Sequence, residues 1–361
     1  MSNTDILDPT IRSHLVTRQR RSVEDTSPLR TEELDEVQQD VGERVRSYLD
    51  FLKRVGNRDL QQAIAQHRAT IVNGVQEGIV ESTRRPTRAG EPPRRTRGMD
   101  IAKAALGQRP SFLVMDNQIC LEGSLAHPSG WENLLAQPEV RKALEPRLAA
   151  VGMIMDEGTT ALGTGFVIAP NLVMTNRHIV EQMFDLKSTS YPPPFLKNKS
   201  RWYVNFSKEF GGSVETVCEA EVRGLGFVSP EEIQTPDPQS PALFAQADFA
   251  VLEIEPSGNA PLPILELNWG RPMPSDEVIV VVGHPCYDER YKTAYNDAAP
   301  MNSIAFEEVF GRQFRCKHAA PGYAREFPVP TLPKADSSGR RFHLTTNLMH
   351  DASTLGGHSG S

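Results

Sequence analysis

Gly163-Thr164-Gly165-Phe166-Val167-Ile168-Ala169-Pro170-Asn171-Leu172-Val173-Met174-Thr175-Asn176-Arg177-His178 is the stretch on which the fold turns. Apolar residues flank Pro170-Asn171, two turn formers: proline presets φ, and asparagine bonds back to its own backbone. The pattern is a strand, a tight turn and a return strand, with His178 at the end of the second strand. A general base needs a rigid position of this kind at the edge of a cleft. The chain has nine histidines, and this context singles out His178.

From about residue 150 onward, short apolar stretches alternate with Gly, Pro and Asn, a spacing that points to a β-barrel or sandwich. Within it, Ala247-Asp248-Phe249-Ala250-Val251-Leu252-Glu253-Ile254 places an aspartate at the mouth of an apolar strand. A carboxylate there is costly to bury unless it is paired. An imidazole N–H is a suitable partner, because it fixes the tautomer whose other nitrogen can take a proton from a hydroxyl. The bland alternative is an acid at a strand edge facing water. At the C-terminal end, Gly356-Gly357-His358-Ser359-Gly360-Ser361 sets a serine among small residues. Glycines allow a tight turn that exposes a hydroxyl and leaves backbone N–H groups free to face an oxyanion. Taken alone, such a turn is common in loops.

The three residues follow in the order His178, Asp248, Ser359, separated by 70 and 111 residues. In this order and context the chain resembles the trypsin-like (chymotrypsin-fold) serine peptidases over about residues 150–361. It is most similar to the bacterial glutamyl-endopeptidase type, in which Thr-Asn-Arg-His and Ser-Thr-x-Gly-Gly-x-Ser-Gly-Ser strings are typical. The resemblance implies a catalytic triad of His178, Asp248 and Ser359, with the backbone N–H groups of Gly357 and Ser359 as oxyanion hole. It implies a mainly β fold of two barrels, the first holding His178 and Asp248, the second beginning near residues 278–283 and holding Ser359. The expected activity is a serine endopeptidase working through an acyl-enzyme on peptide or protein substrates, with no cofactor and no metal.

The sequence departs from the family pattern at several points. His358 stands where many secreted relatives carry an aspartate that pairs with a freshly cut N-terminus, so the oxyanion loop is expected to form without such activation. Ser353, six residues before the nucleophile, would floor the specificity pocket, and an uncharged floor argues against a Lys or Arg preference. Thr354 fits the glutamyl-endopeptidase pattern. The chain stops two residues past Ser359, so the expectation is a domain truncated just after the nucleophile, with an incomplete second barrel and weak activity.

The remainder of the chain divides by composition. Residues 1–30 are polar and aperiodic, a disordered tail by expectation. In residues 31–82, Leu34, Val37, Val41, Val45, Tyr48, Leu52 and Val55 recur at steps of three and four, Thr31 can cap, and Gly56-Asn57 breaks the run before a second helix. This helical hairpin has an apolar face that docks on the rest of the chain, on a partner or on a second copy. Residues 83–108 form a linker in which residues 83–98 hold six arginines and three prolines with almost nothing to bury. Residues 109–149 suggest a small hairpin around Asp116-Asn117 and a helix packing on the domain of residues 150–361. The net charge of −7 argues against nucleic acid as the main partner. No apolar run is long enough to span a bilayer and no export signal precedes the tail, so the expected location is cytoplasmic and the four cysteines are expected to be reduced.

Two competing readings use the same residues. One is an inert protease-fold scaffold whose helices bind a partner. The other is a zinc site built from His284, Cys286, Cys316 and His318, although their spacing matches no common zinc motif.

Overall fold

The computed structural model describes residues 31–83, 101, 105, 110–125, 130–157, 161–186, 201–211, 218–229, 248–258, 261–267, 276–285, 300–310, 315–325, 349–350, 352 and 361. The expected disordered tail, most of the Arg/Pro-rich linker, Cys286, and Ser353, Thr354, Gly357, His358 and Ser359 lie outside these residues. The described chain divides into two compact units.

The first unit is helical. Helix α1 spans Thr31–Val55 and α2 spans Arg58–Thr83. One stripe of α1, Val41, Val45, Tyr48, Leu49 and Leu52, is buried, as expected for apolar residues at helical spacing. The break is built from two residues: the Gly56 N–H returns to the Leu52 carbonyl at 2.8 Å, and Asn57 Oδ1 accepts from the Leu60 N–H at 3.0 Å, capping α2. The two helices are stitched by Gln38 Nε2, which donates to the Gln76 carbonyl at 3.1 Å. Strands β1 (Phe112–Met115) and β2 (Gln118–Ile119) flank Asp116 and Asn117, both with positive φ, a conformation these two residue types tolerate well. Helices α3 (Trp131–Leu135) and α4 (Pro138–Leu148) follow.

The second unit takes residues 113–117, and so most of β1, together with all the strands that follow β2. β3 (Val151–Asp156), β4 (Ala161–Ala169), β5 (Leu172–Thr175), β6 (Trp202–Asn205), β7 (Glu219–Val228) and β8 (Ala250–Pro256) close into a barrel in the order β3-β4-β5-β8-β7-β6. β8 shows why: Ala250, Leu252 and Ile254 are buried while Glu253 and Glu255 are exposed, the period-two alternation of a strand with one face in a core. Those three pack with Val167, Val173, Val204 and Val222. Gly165 is required on the inner face, since a Cβ there would lie 2.6 Å from Val173 Cγ1. Short helix α5 (Arg177–Met183) plugs one end with Ile179, Val180 and Met183.

A second sheet follows in the same unit. β9 (Val278–Gly283) pairs antiparallel with β10 (His318–Arg325) from Tyr323↔Val278 to His318↔Gly283, and β11 (Met349–His350) joins the far end of β10. Between β9 and β10 in sequence lies helix α6 (Pro300–Phe310). It belongs to the helical unit: His67 Nε2 and Glu308 Oε2 lie 2.8 Å apart, and the Tyr48 and Phe310 rings stack at 6.4 Å. Residues 118–145 belong to that unit as well.

Lys317, just ahead of β10, is fully buried. Its Nζ donates to the Phe206 carbonyl at 2.9 Å and to Glu209 Oε1 at 2.8 Å, and Glu209 Oε2 accepts from the Asn117 N–H at 2.8 Å. The Lys317 carbonyl accepts from the Val114 N–H at 2.9 Å. Burial holds the Lys317 ammonium below its usual range, and the facing Glu209 carboxylate opposes that shift. Removing one partner leaves a buried charge uncompensated, which costs about 3–5 kcal/mol. Lys317→Ala is therefore expected to lower stability by about that amount in urea unfolding, and Glu209→Leu/Lys317→Met together by clearly less. Equal losses in the single and double variants would show that the charges themselves are not what the site must satisfy.

Candidate active site

β5 and β8 run antiparallel with Thr175 opposite Ala250. Because the strands run in opposite directions, the residues following Thr175 and those preceding Ala250 leave the barrel at the same edge. His178 is three residues beyond the first and Asp248 two residues ahead of the second. β5 ends at Thr175, Asn176 is extended, and His178 sits in the first turn of α5 rather than at the strand end.

Two contacts join the pair. His178 Nδ1 lies 2.7 Å from Asp248 Oδ2, and the His178 backbone N–H donates to Asp248 Oδ1 at 3.1 Å. Both carboxylate oxygens are thus engaged by one residue, which fixes the acid's rotation as well as the ring's. With Nδ1 protonated toward the carboxylate, Nε2 is left to accept a proton. The His178 side chain is 41% exposed and that of Asp248 19%, so the ring is reachable from solvent while the acid is largely shielded.

The backbone around Asp248 is clamped by residues that sequence reasoning had used only as context. Asn176 Nδ2 donates to the Asp248 carbonyl at 2.8 Å. The Ser229 N–H donates to the Phe249 carbonyl at 3.0 Å, and the buried Arg177 guanidinium donates to the Ser229 carbonyl and, through Nε, to Glu181 Oε1 at 2.7 Å. Every residue of the Thr-Asn-Arg-His string thereby has a contact. Thr175 Oγ1 supplies the last, donating to the Thr164 carbonyl at 2.7 Å.

The sequence-predicted site residues separate into two groups. His178 and Asp248 are brought together. Ser359, Gly357, Ser353 and Thr354 lie outside the described residues, but Ser361 is described. It sits against Gly283: a Cβ on that glycine would lie 2.9 Å from Ser361 Cβ and 3.0 Å from Thr164 Oγ1. Of the zinc candidates, His284, Cys316 and His318 are all buried, and among the described residues no group of three or more His, Cys, Asp or Glu side chains is arranged to hold a metal ion. No described helix is long and apolar enough to cross a membrane.

Residues 163–361 match the family model of the trypsin-like peptidase domain. The match spans more than half of the chain, and the chain belongs to the trypsin-like peptidase family. The crystal structure of Deg5 aligns with 61% of this chain and 75% of its own length, at 18% identity and a TM-score of 0.31. No curated protein matches the chain. The architecture expected from the sequence is the one found: a closed barrel, a second sheet that does not close among the described residues, and N-terminal helices. Peptides or proteins are the substrate class of this family.

Burial pushes the Cys316 thiol up to about 12, whereas Cys218 is exposed. Since the thiolate is the reactive form, iodoacetamide at pH 8 should modify Cys218 in the native chain and reach Cys316 only after denaturant is added. Peptide mass spectrometry showing equal modification of both before unfolding would contradict the buried placement of Cys316.

Proposed function

We propose that the chain is a serine endopeptidase in which Ser359 is the nucleophile, His178 the general base and then acid, and Asp248 the group that orients the imidazole. The observation that carries this reading is the doubly bonded His178–Asp248 pair at the barrel edge, with Nδ1 on the carboxylate side. Ser361 supports the third member. Ser361 and Thr164 both stand against Gly283, the Thr164 carbonyl is bonded to Thr175 just ahead of His178, and two residues of chain span at most about 7 Å.

In the proposed reaction the Ser359 hydroxyl adds to the peptide carbonyl carbon as its proton passes to His178 Nε2. The carbonyl oxygen takes the negative charge and is met by the N–H groups of Gly357 and Ser359, each worth roughly 3–4 kcal/mol. Collapse of the adduct breaks the C–N bond, His178 returns the proton to the departing amine, and an acyl-enzyme remains. Water, deprotonated by the same imidazole, releases the acid and restores the serine.

The finer features follow from particular residues. Val151 is buried and paired with Phe166 inside β3, and His358 supplies no permanent negative charge; both favour an oxyanion loop that forms without a cleaved N-terminus. Ser353, at the position that floors the specificity pocket in the family, brings no acid to a Lys or Arg side chain, and Thr354 fits the glutamyl-endopeptidase pattern. Residues 31–82 serve as an accessory helical module outside the chemistry, open to a partner or a second copy. The scaffold reading draws no support from an acid and imidazole this closely paired.

A fluorophosphonate probe should label the full chain at Ser359, and Ser359→Ala should abolish labelling and reduce kcat on the order of 10⁶-fold. Labelling that survives in Ser359→Ala would exclude this nucleophile.

A further inference from the structure

Thr164 joins two parts of the second unit. Its side chain is fully buried. Its carbonyl accepts from Thr175 Oγ1 at 2.7 Å, three residues ahead of His178 in the first barrel. Its Oγ1 accepts from the backbone N–H of His284 at 2.9 Å, where the chain leaves β9 of the second sheet. The same Oγ1 stands 3.0 Å from the place a Cβ on Gly283 would take, and Ser361 Oγ crowds that place more closely still.

Resting on the triad proposed above, we infer that Thr164 is a positioning residue for the reaction, setting the separation between the base and the nucleophile turn. His178 is fixed by the first barrel, whereas Ser361, two residues past the proposed nucleophile, stands against Gly283 at the end of β9. Their separation is therefore an inter-sheet distance that neither sheet determines alone. Thr164 spans it, with its carbonyl on the His178 side and its hydroxyl on the Gly283-His284 side. Both hydrogen bonds are out of water, so no solvent molecule can replace either partner when it moves, and a bond in such surroundings is strongly directional. A displacement of about 1 Å between reacting groups costs on the order of 100-fold in rate, so a small drift of β9 relative to β5 would be felt at the chemistry.

A threonine that merely filled space would be replaceable by valine, which has the same shape and lacks the hydroxyl. The test therefore compares Thr164→Val with Thr164→Ser, which keeps the oxygen, in the full chain. Three readouts are needed: saturation kinetics of fluorophosphonate labelling, hydrogen exchange of the His284 amide, and the proton resonance of His178 Nδ1–H. Thr164→Val is expected to slow the maximal labelling rate by about 10–100-fold while half-saturation changes by less than about twofold. It is also expected to speed His284 amide exchange and to shift the His178 resonance. Thr164→Ser should restore all three. Labelling of Thr164→Val at the parent rate, or a His284 amide and a His178 resonance that do not respond, would overturn the inference. If the parent chain is not labelled at all, the proposed nucleophile fails, and the exchange and resonance measurements still decide whether Thr164 couples the two sheets.

Discussion

The antiparallel register of β5 and β8 is the constraint from which the candidate site follows. Pairing Thr175 with Ala250 brings two segments, far apart in the chain, out of the barrel side by side. A slip of one residue would turn Ala250, Leu252 and Ile254 out of the core and their exposed neighbours into it. The hydrophobic pattern that stabilises the barrel thus also aligns an imidazole with a carboxylate. Asn176 and Arg177 then remove the freedom that remains, holding the backbone on either side of the acid.

Burial separates this pair from the Lys317–Glu209 contact of the same unit. Lys317 and Glu209 are both nearly sealed from water, with side-chain exposures of 0% and 5%. Their bonds reach the backbone of Phe206 and Asn117, so they hold loops together and have no route to a substrate. His178 keeps its ring partly in solvent. The two contacts have similar lengths, and accessibility tells them apart.

The sequence made the barrel and the His178–Asp248 pairing legible because both rest on local patterns: alternation along residues 250–254, and a strand-turn-strand ending in histidine. It placed His178 at a strand end, since Thr175 and Asn176 are compatible with extended chain. The helical spacing of Ile179, Val180 and Met183, which decides for a short helix, falls immediately after. Contacts across long separations were not legible. Thr164 within Gly-Thr-Gly looks like a turn residue, and its hydroxyl partner lies 120 positions away. Nothing marks Lys317 as buried, because its carboxylate is 108 positions distant. Helix α6 is assigned to the peptidase by chain order, yet Glu308 meets a histidine 241 positions upstream.

That last arrangement is one of several places where the chain passes between its units. A polypeptide that leaves after β9, contributes a helix to its neighbour and returns at β10 cannot be parted into independent pieces by a single scission ahead of the barrel. Stripping away α1 and α2 would uncover Phe306, Val309 and Phe310, all buried among helices. The peptidase portion would then carry a greasy orphan helix in its own middle.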